Sequence, residues 1–187
     1  MGHGGNVIEE LTTDHREVEA LFERIEALPV GDPRRRELAD EMTTELVRHS
    51  VAEEQFLYPA VRQYVAGGDE LADKELSDHA KVEELLKSLE GRQPEEEEFN
   101  HLVAKVKLEV TSHVRDEEGN LFPLLAAGCT SDALDDLGDK IRRAKKTAPT
   151  RPHPSAPTTP PANKLLAPGA GLVDRARDLL ARRNRGD

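Results

Sequence analysis

The sequence predicts an all-α protein: an antiparallel up-down four-helix bundle with a short fifth helix, a Pro-rich linker and a basic amphipathic C-terminal helix. Three observations carry this reading. Apolar residues recur at alternating steps of three and four, the signature of a helical bundle seam. Residues 49–59 align without a gap onto residues 113–123 at an offset of 64, so the chain contains an internal duplication, about 6–66 and 70–130. Proline- and glycine-rich breaks divide the periodic stretches into helix-length pieces.

Asn6 is a suitable N-cap for a first helix running to about Leu28. Its seam is Ile8, Leu11, His15, Val18, Phe22 and Ile25, which puts a histidine at a core position. Pro29 and Pro33 break it, and a second helix begins near Arg34 with Leu38, Met42, Leu46, His49, Glu53 and Phe56 on one face. Pro59 perturbs that helix, because the residue before a proline avoids the α region. The third helix, roughly Glu70 to Glu90, aligns Leu76, His79, Val82, Glu83, Leu86 and Leu89. A fourth starts after Pro94 on a run of glutamates that suits a helix N-terminus. It carries Phe99, Leu102, Val106, Val110, His113 and Glu117 as far as Pro123. Ser131 or Asp132 can cap a fifth helix with Leu134, Leu137 and Ile141 on its apolar side.

These elements make a first domain of residues 1–146. Residues 147–163 hold six prolines and read as an extended, solvated, disordered linker. Residues 164–187 form a basic amphipathic tail, with Leu172, Val173, Leu179 and Leu180 opposite Arg175, Arg177, Arg182 and Arg183. Such a helix can dock on a protein partner, a membrane surface or its own acidic bundle.

Composition narrows the function. Aromatic residues are 3% of the chain, so the core is aliphatic, and 34% charged residues suit helices with solvated outer faces. The net charge of −11 is uneven: seven Lys/Arg against three Asp from Thr147 onward leave −15 on residues 1–146. An acidic bundle repels phosphate backbones, so no nucleic-acid partner is expected. Cys129 is the lone cysteine, no basic segment precedes an apolar run at the start, and no run of about 20 apolar residues occurs. The expected location is cytoplasmic.

What the duplication preserves is histidine and glutamate. His49-Ser-Val-Ala-Glu53-Glu54 maps onto His113-Val-Arg-Asp-Glu117-Glu118, and Asp14-His15 maps onto Asp78-His79. Residues i and i+4 share a helix face, so His15/Glu19, His49/Glu53, His79/Glu83 and His113/Glu117 each present an imidazole and a carboxylate together. One such pair is usually a surface contact; four in register on the core seam point to a metal site. Mixed imidazole and carboxylate donors suit iron, zinc or manganese rather than calcium or magnesium. Asp14, Asp78, Glu54 and Glu118 lie about 100° from the seam and read as solvated or backing groups. By the same arithmetic Tyr58 is a packing residue, and His3, His101 and His153 are not ligand candidates.

With these residues in hand, the chain resembles the hemerythrin-like, or HHE cation-binding, family over about residues 6–127. The family pattern of His, HxxxE, His, HxxxE falls on His15, His49 with Glu53, His79, and His113 with Glu117. The resemblance implies a non-haem di-iron centre with an oxo or hydroxo bridge, Glu53 and Glu117 bridging and the histidines terminal. It departs from the family's oxygen carriers at Glu83, where those have histidine, and at Glu118, where those have aspartate next to the motif. Glu19 and Glu83 are additional candidate ligands; the alternative for each is a partly solvated carboxylate hydrogen-bonded to an imidazole. The expected function is binding of, and reaction with, oxygen-derived small molecules: peroxide first, then dioxygen (O2) or nitric oxide (NO), in oxidative or nitrosative stress or iron handling. Catalase-like turnover of H2O2 is one form of it. The competing readings are an oxygen or iron sensor or carrier without turnover, and a structural zinc or manganese site.

Overall fold

The computed structural model describes residues 4–164, 169–171 and 173–174. Helix α1 spans Val7–Ala27, α2 Arg34–Ala52, α3 Tyr58–Tyr64, α4 Gly68–Leu89, α5 Glu97–Asp116, α6 Phe122–Gly128 and α7 Ser131–Thr147. No helix among the described residues is long and apolar enough to cross a membrane.

The second and fourth rods of the bundle do not stop before their prolines. A π-helical turn, Glu53–Leu57, joins α2 to α3, and another, Glu117–Leu121, joins α5 to α6. The cause is local. In a regular helix the carbonyls of Gln55 and Gly119 would accept from residues 59 and 123, but proline has no N–H and its ring crowds that carbonyl. Widening the turn lets the chain pass: the Tyr58 N–H reaches the Glu53 carbonyl and the Phe122 N–H reaches that of Glu117. The sequence expectation of a perturbation at Pro59 is met by a wide turn, with helix resuming beyond it.

The other boundaries follow from capping. Asn6 Oδ1 accepts from the N–H groups of Ile8 and Glu9, and the Glu9 side chain returns a bond from the Asn6 N–H. Thr130 caps α7 by accepting from the Ala133 N–H, one residue before the expected Ser131 or Asp132. Gly31, at φ 86°, donates its N–H to the Pro94 carbonyl, so the α1–α2 and α4–α5 connections lie at one end of the bundle. At the other end Gly128 abuts the Tyr64 carbonyl, and Gly138 abuts Gly5 and Asn6. Adjacent rods are therefore antiparallel.

Two apolar clusters fill the bundle. One, toward the Gly31 end, includes Phe22, Ile25, Met42, Leu86, Phe99 and Val106. The other, toward the Gly138 end, includes Leu11, Leu57, Val61, Leu121, Leu125 and Ile141. The histidines lie between them.

Beyond α7 the structure corrects the expected solvated linker. Ala148, Thr150 and Asn163 are buried. The His153 N–H donates to Glu83 Oε1 (2.7 Å), and Gln55 Nε2 donates to the Asn163 carbonyl (3.3 Å). Buried Asp174 accepts from the N–H groups of Thr150 and Arg151 and lies 2.9 Å from His153 Nε2. A proline-rich strap suits such a berth, since each proline brings one fewer backbone donor that burial would orphan. The strap thus joins the bundle rather than separating it from the tail. The rest of the expected basic amphipathic helix, including Arg175, Leu179 and Arg183, lies outside the described residues.

Helix α7 can approach α1 because residue 138 has no side chain: a Cβ there would stand 2.7 Å from the Gly5 carbonyl oxygen. Gly138→Val should therefore cost about 1–3 kcal/mol through overpacking. Thermal unfolding should show the midpoint several degrees lower; an unchanged midpoint would contradict this packing.

Candidate metal centre

All four seam histidines are buried, and Glu53 and Glu117 have no exposed surface at all. Each carboxylate faces one histidine from each half of the duplication. Glu53 Oε2 is 3.1 Å from His49 Nε2 and 3.3 Å from His79 Nε2. Glu117 Oε2 is 3.3 Å from His15 Nε2 and 3.5 Å from His113 Nε2. Donor atoms of His15, His49, Glu53 and Glu117 fall within 4.8 Å of one another, as do those of Glu53, His79 and His113 and those of Glu75, His113 and Glu117. Adjoining groups that share Glu53 or Glu117 have the form of a two-ion site.

Donor atoms separated by 3.1–3.5 Å lie near the edge length, about 3 Å, of an octahedron with bonds of roughly 2.1 Å. His15 Nε2, both oxygens of Glu53 and Glu117 Oε2 are buried without a hydrogen-bond partner. Buried polar atoms are rarely left so, and these converge on one place. The donor set fits a pair of iron ions, with His15, His49, His79, His113, Glu53 and Glu117 available to hold them.

A carboxylate stands behind each imidazole at Nδ1; it is hydrogen-bonded to His15, His49 and His79, whereas Glu75 lies beside His113 without hydrogen-bond geometry. Glu118 stands 2.8 Å from His15, Asp14 3.2 Å from His49, Glu54 3.2 Å from His79 and Glu75 2.8 Å from His113. A carboxylate at Nδ1 fixes the tautomer that turns Nε2 inward. Asp14, Glu54 and Glu118 are thus backing groups, whereas Asp78 turns outward to Lys74 and Lys81.

Charge alternates across this layer. Burial alone would push His49 down, but Glu53 and Asp14 outweigh it and hold the ring at about 10. His79 is likewise disfavoured by burial and held at about 10 by Glu53 and Glu54. Burial would raise Glu53, yet His49 and His79 bring it well below the usual carboxylate range.

The structure does not bring Glu19 or Glu83 to the cluster. The Glu19 side chain is 60% exposed and pairs with Arg16, and Glu83 is taken up by the strap. Helix direction explains this. The histidines share one level, but α1 and α4 run opposite to α2 and α5, so i+4 leads away from the carboxylate layer on those two helices. On them the carboxylate layer is reached at i−4, and Glu75, four residues before His79, lies there. The Glu75-x-x-x-His79 spacing was the sequence signal for it.

Tyr58 was the other residue missed. Its hydroxyl donates to Glu117 Oε1 (3.2 Å) and lies 2.9 Å from His79 Nε2, and the side chain is 1% exposed. At 100° per residue Tyr58 lies well off the face of Glu53. Across a π turn, residue i+5 comes one turn on, directly beneath it. Burial and the nearby Glu117 and Glu53 charges push this phenol well above 10. Its repeat counterpart, Phe122, stacks on His15 at 5.9 Å between ring centroids.

Residues 6–125 match the family model described as Hemerythrin HHE cation binding domain. A Schizosaccharomyces pombe protein, described as an uncharacterized hemerythrin-like protein, is 28% identical over 168 residues, covering 89% of this chain and 82% of that one. A Nostoc protein named DNA nickase is 29% identical over 143 residues, 75% of this chain but only 39% of that protein. The crystal structure of a hemerythrin HHE cation binding domain-containing protein from Mycobacterium kansasii aligns with a TM-score of 0.66 and 25% identity, covering 75% of this chain and 85% of that one.

Glu53→Ala should abolish binding of both ions, because Glu53 belongs to two of the donor groups, whereas Glu19→Ala should leave two per chain. Elemental analysis checks this, and two ions retained by Glu53→Ala would exclude a shared ligand. In the metal-free protein, His49 and His79 have folded values above their unfolded ones. The stability they contribute is fully present below about 6.5 and lost as pH rises through about 10. The metal-free thermal midpoint should therefore fall across that window, and a flat profile would contradict the assignment.

Proposed function

The chain belongs to the hemerythrin HHE cation-binding family, and from that membership we propose a non-haem di-iron protein that reacts with small oxygen-derived molecules, hydrogen peroxide foremost. The observation that carries this reading is a cavity of about 20 Å3 bordered by His15, His49, His79 and His113. One water-sized molecule needs roughly 10–15 Å3, so the space admits a molecule of two or three heavy atoms at most. Val18, Leu46, Val82, Val110 and Val114 close its other side. That wall is apolar and offers no polar group to hold water or hydrated ions.

Two irons held there would supply Lewis acidity and a store of two electrons. The chain supplies the rest. Glu118, Asp14 and Glu54 hold three of the imidazoles in place by hydrogen bonds, and Tyr58 keeps a proton on a buried oxygen between Glu117 and His79. A phenol so placed can give a proton to a reacting oxygen and recover it from the carboxylate. DNA nicking, the activity named for the Nostoc relative, does not enter this proposal. The match covers 39% of that protein, and residues 1–146 here carry a charge of −15.

The iron-loaded protein should release oxygen from hydrogen peroxide, with Glu53→Ala as the inactive control. Tyr58→Phe should keep its iron and lose about 100-fold in rate, the scale of one proton-transfer group. No oxygen above the control, together with reversible oxygenation of the reduced protein, would identify a carrier instead.

A further inference from the structure

A second cavity, of about 70 Å3, lies between α2, α4 and the strap. Its walls include Val47, Val51 and Leu86, and Pro149, Ala156 and Pro157 roof it. Leu46, Ser50, His79 and Val82 line both this cavity and the inner one. The partition between them is therefore one layer of side chains thick.

The outer cavity meets the centre at its least sealed corner. Three of the backing carboxylates are tied down by cations: Asp14 by Lys145, Glu75 by Lys74 and Glu118 by Arg16. Glu54, behind His79, has no lysine or arginine partner among the described residues and borders the outer cavity. Glu83 borders it too, and Arg151, which also lines the cavity, is paired with Glu90. The apolar walls disfavour any ion. The roof belongs to residues 149–163, beyond the residues 6–125 that match the family.

We propose that the outer cavity is an antechamber that binds small uncharged molecules and passes them to the inner cavity beside His79, with the strap as its roof. The delivery step rests on the function proposed above; the binding site does not. Small neutral solutes such as hydrogen peroxide, dioxygen and nitric oxide are its ligand class.

Xenon is a suitable probe because it is uncharged and needs no iron. Methyl NMR of the full chain under xenon pressure should show saturable shifts at Val47, Val51, Val82 and Leu86, lost in Val51→Trp. In the reduced, iron-loaded protein, nitric oxide binding should slow roughly tenfold in Val51→Trp and quicken in Asp174→Ala, which unties the roof, with iron content unchanged. If Val51→Trp fails to fold, Val47→Phe fills the same space. Absence of xenon shifts would overturn the binding site. An unchanged nitric oxide rate in a filled variant would overturn the delivery role. Xenon binding in a protein that releases no oxygen from peroxide would support the antechamber while removing the peroxide function.

Discussion

Glu53 and Glu117 are carboxylates with no solvent contact in the middle of an aliphatic bundle. An isolated buried charge costs several kcal/mol even after relaxation, so such groups persist only when compensated. The compensation here is built outward in shells of alternating sign. Imidazoles face the two glutamates, carboxylates stand behind the imidazoles, and Lys145, Lys74 and Arg16 stand behind three of those carboxylates. The demand reaches as far as α7, whose Lys145 is buried in order to meet Asp14 and Glu10. Placement between two apolar clusters keeps water from competing with any of these pairs.

The shells follow the duplication closely. Glu53 and Glu117, Glu54 and Glu118, His49 and His113, His15 and His79 are related by the same offset and take equivalent partners across an approximate twofold. Two breaks give the centre a direction. Asp14 backs His49, but its counterpart Asp78 faces outward and Glu75 does that work for His113. Tyr58 brings an oxygen to the His79 side, where Phe122 offers only a ring face to His15. The phenol, Glu54 and the strap-covered cavity all lie on the same side, so the two halves of the donor cluster are chemically distinct although their histidines and glutamates repeat.

Helices α1, α2, α4 and α5 and the convergence of six donors were legible because histidine and glutamate occupied positions where the three–four seam called for apolar residues. Asn6 as a cap was legible for a similarly local reason. Glu75 escaped because its repeat counterpart is Leu11, so the duplication was silent about it. Glu19 and Glu83 share a helix face with His15 and His79, but a shared face does not say which way along the helix axis the carboxylate layer lies. Tyr58 was placed with a constant angle per residue, which fails where the chain takes a wider turn. The strap was misread because composition reports how little a proline-rich segment can build by itself. It says nothing about a groove that an existing bundle offers.

The wide turns at Glu53–Leu57 and Glu117–Leu121 bear on how the site can change over generations. A π turn is an α-helix holding a surplus residue, and deleting that residue restores the ordinary ladder. Loss of one codon at Gln55 would therefore turn the i, i+5 relation of Glu53 and the phenol into i, i+4, which keeps the phenol beneath the carboxylate and α3 in register. A residue gained without a wider turn to absorb it would instead rotate α3 by one helical step and bring a different side chain to that place. The surplus residue is thus a device by which the length of this segment can vary between relatives while the geometry beneath Glu53 is kept.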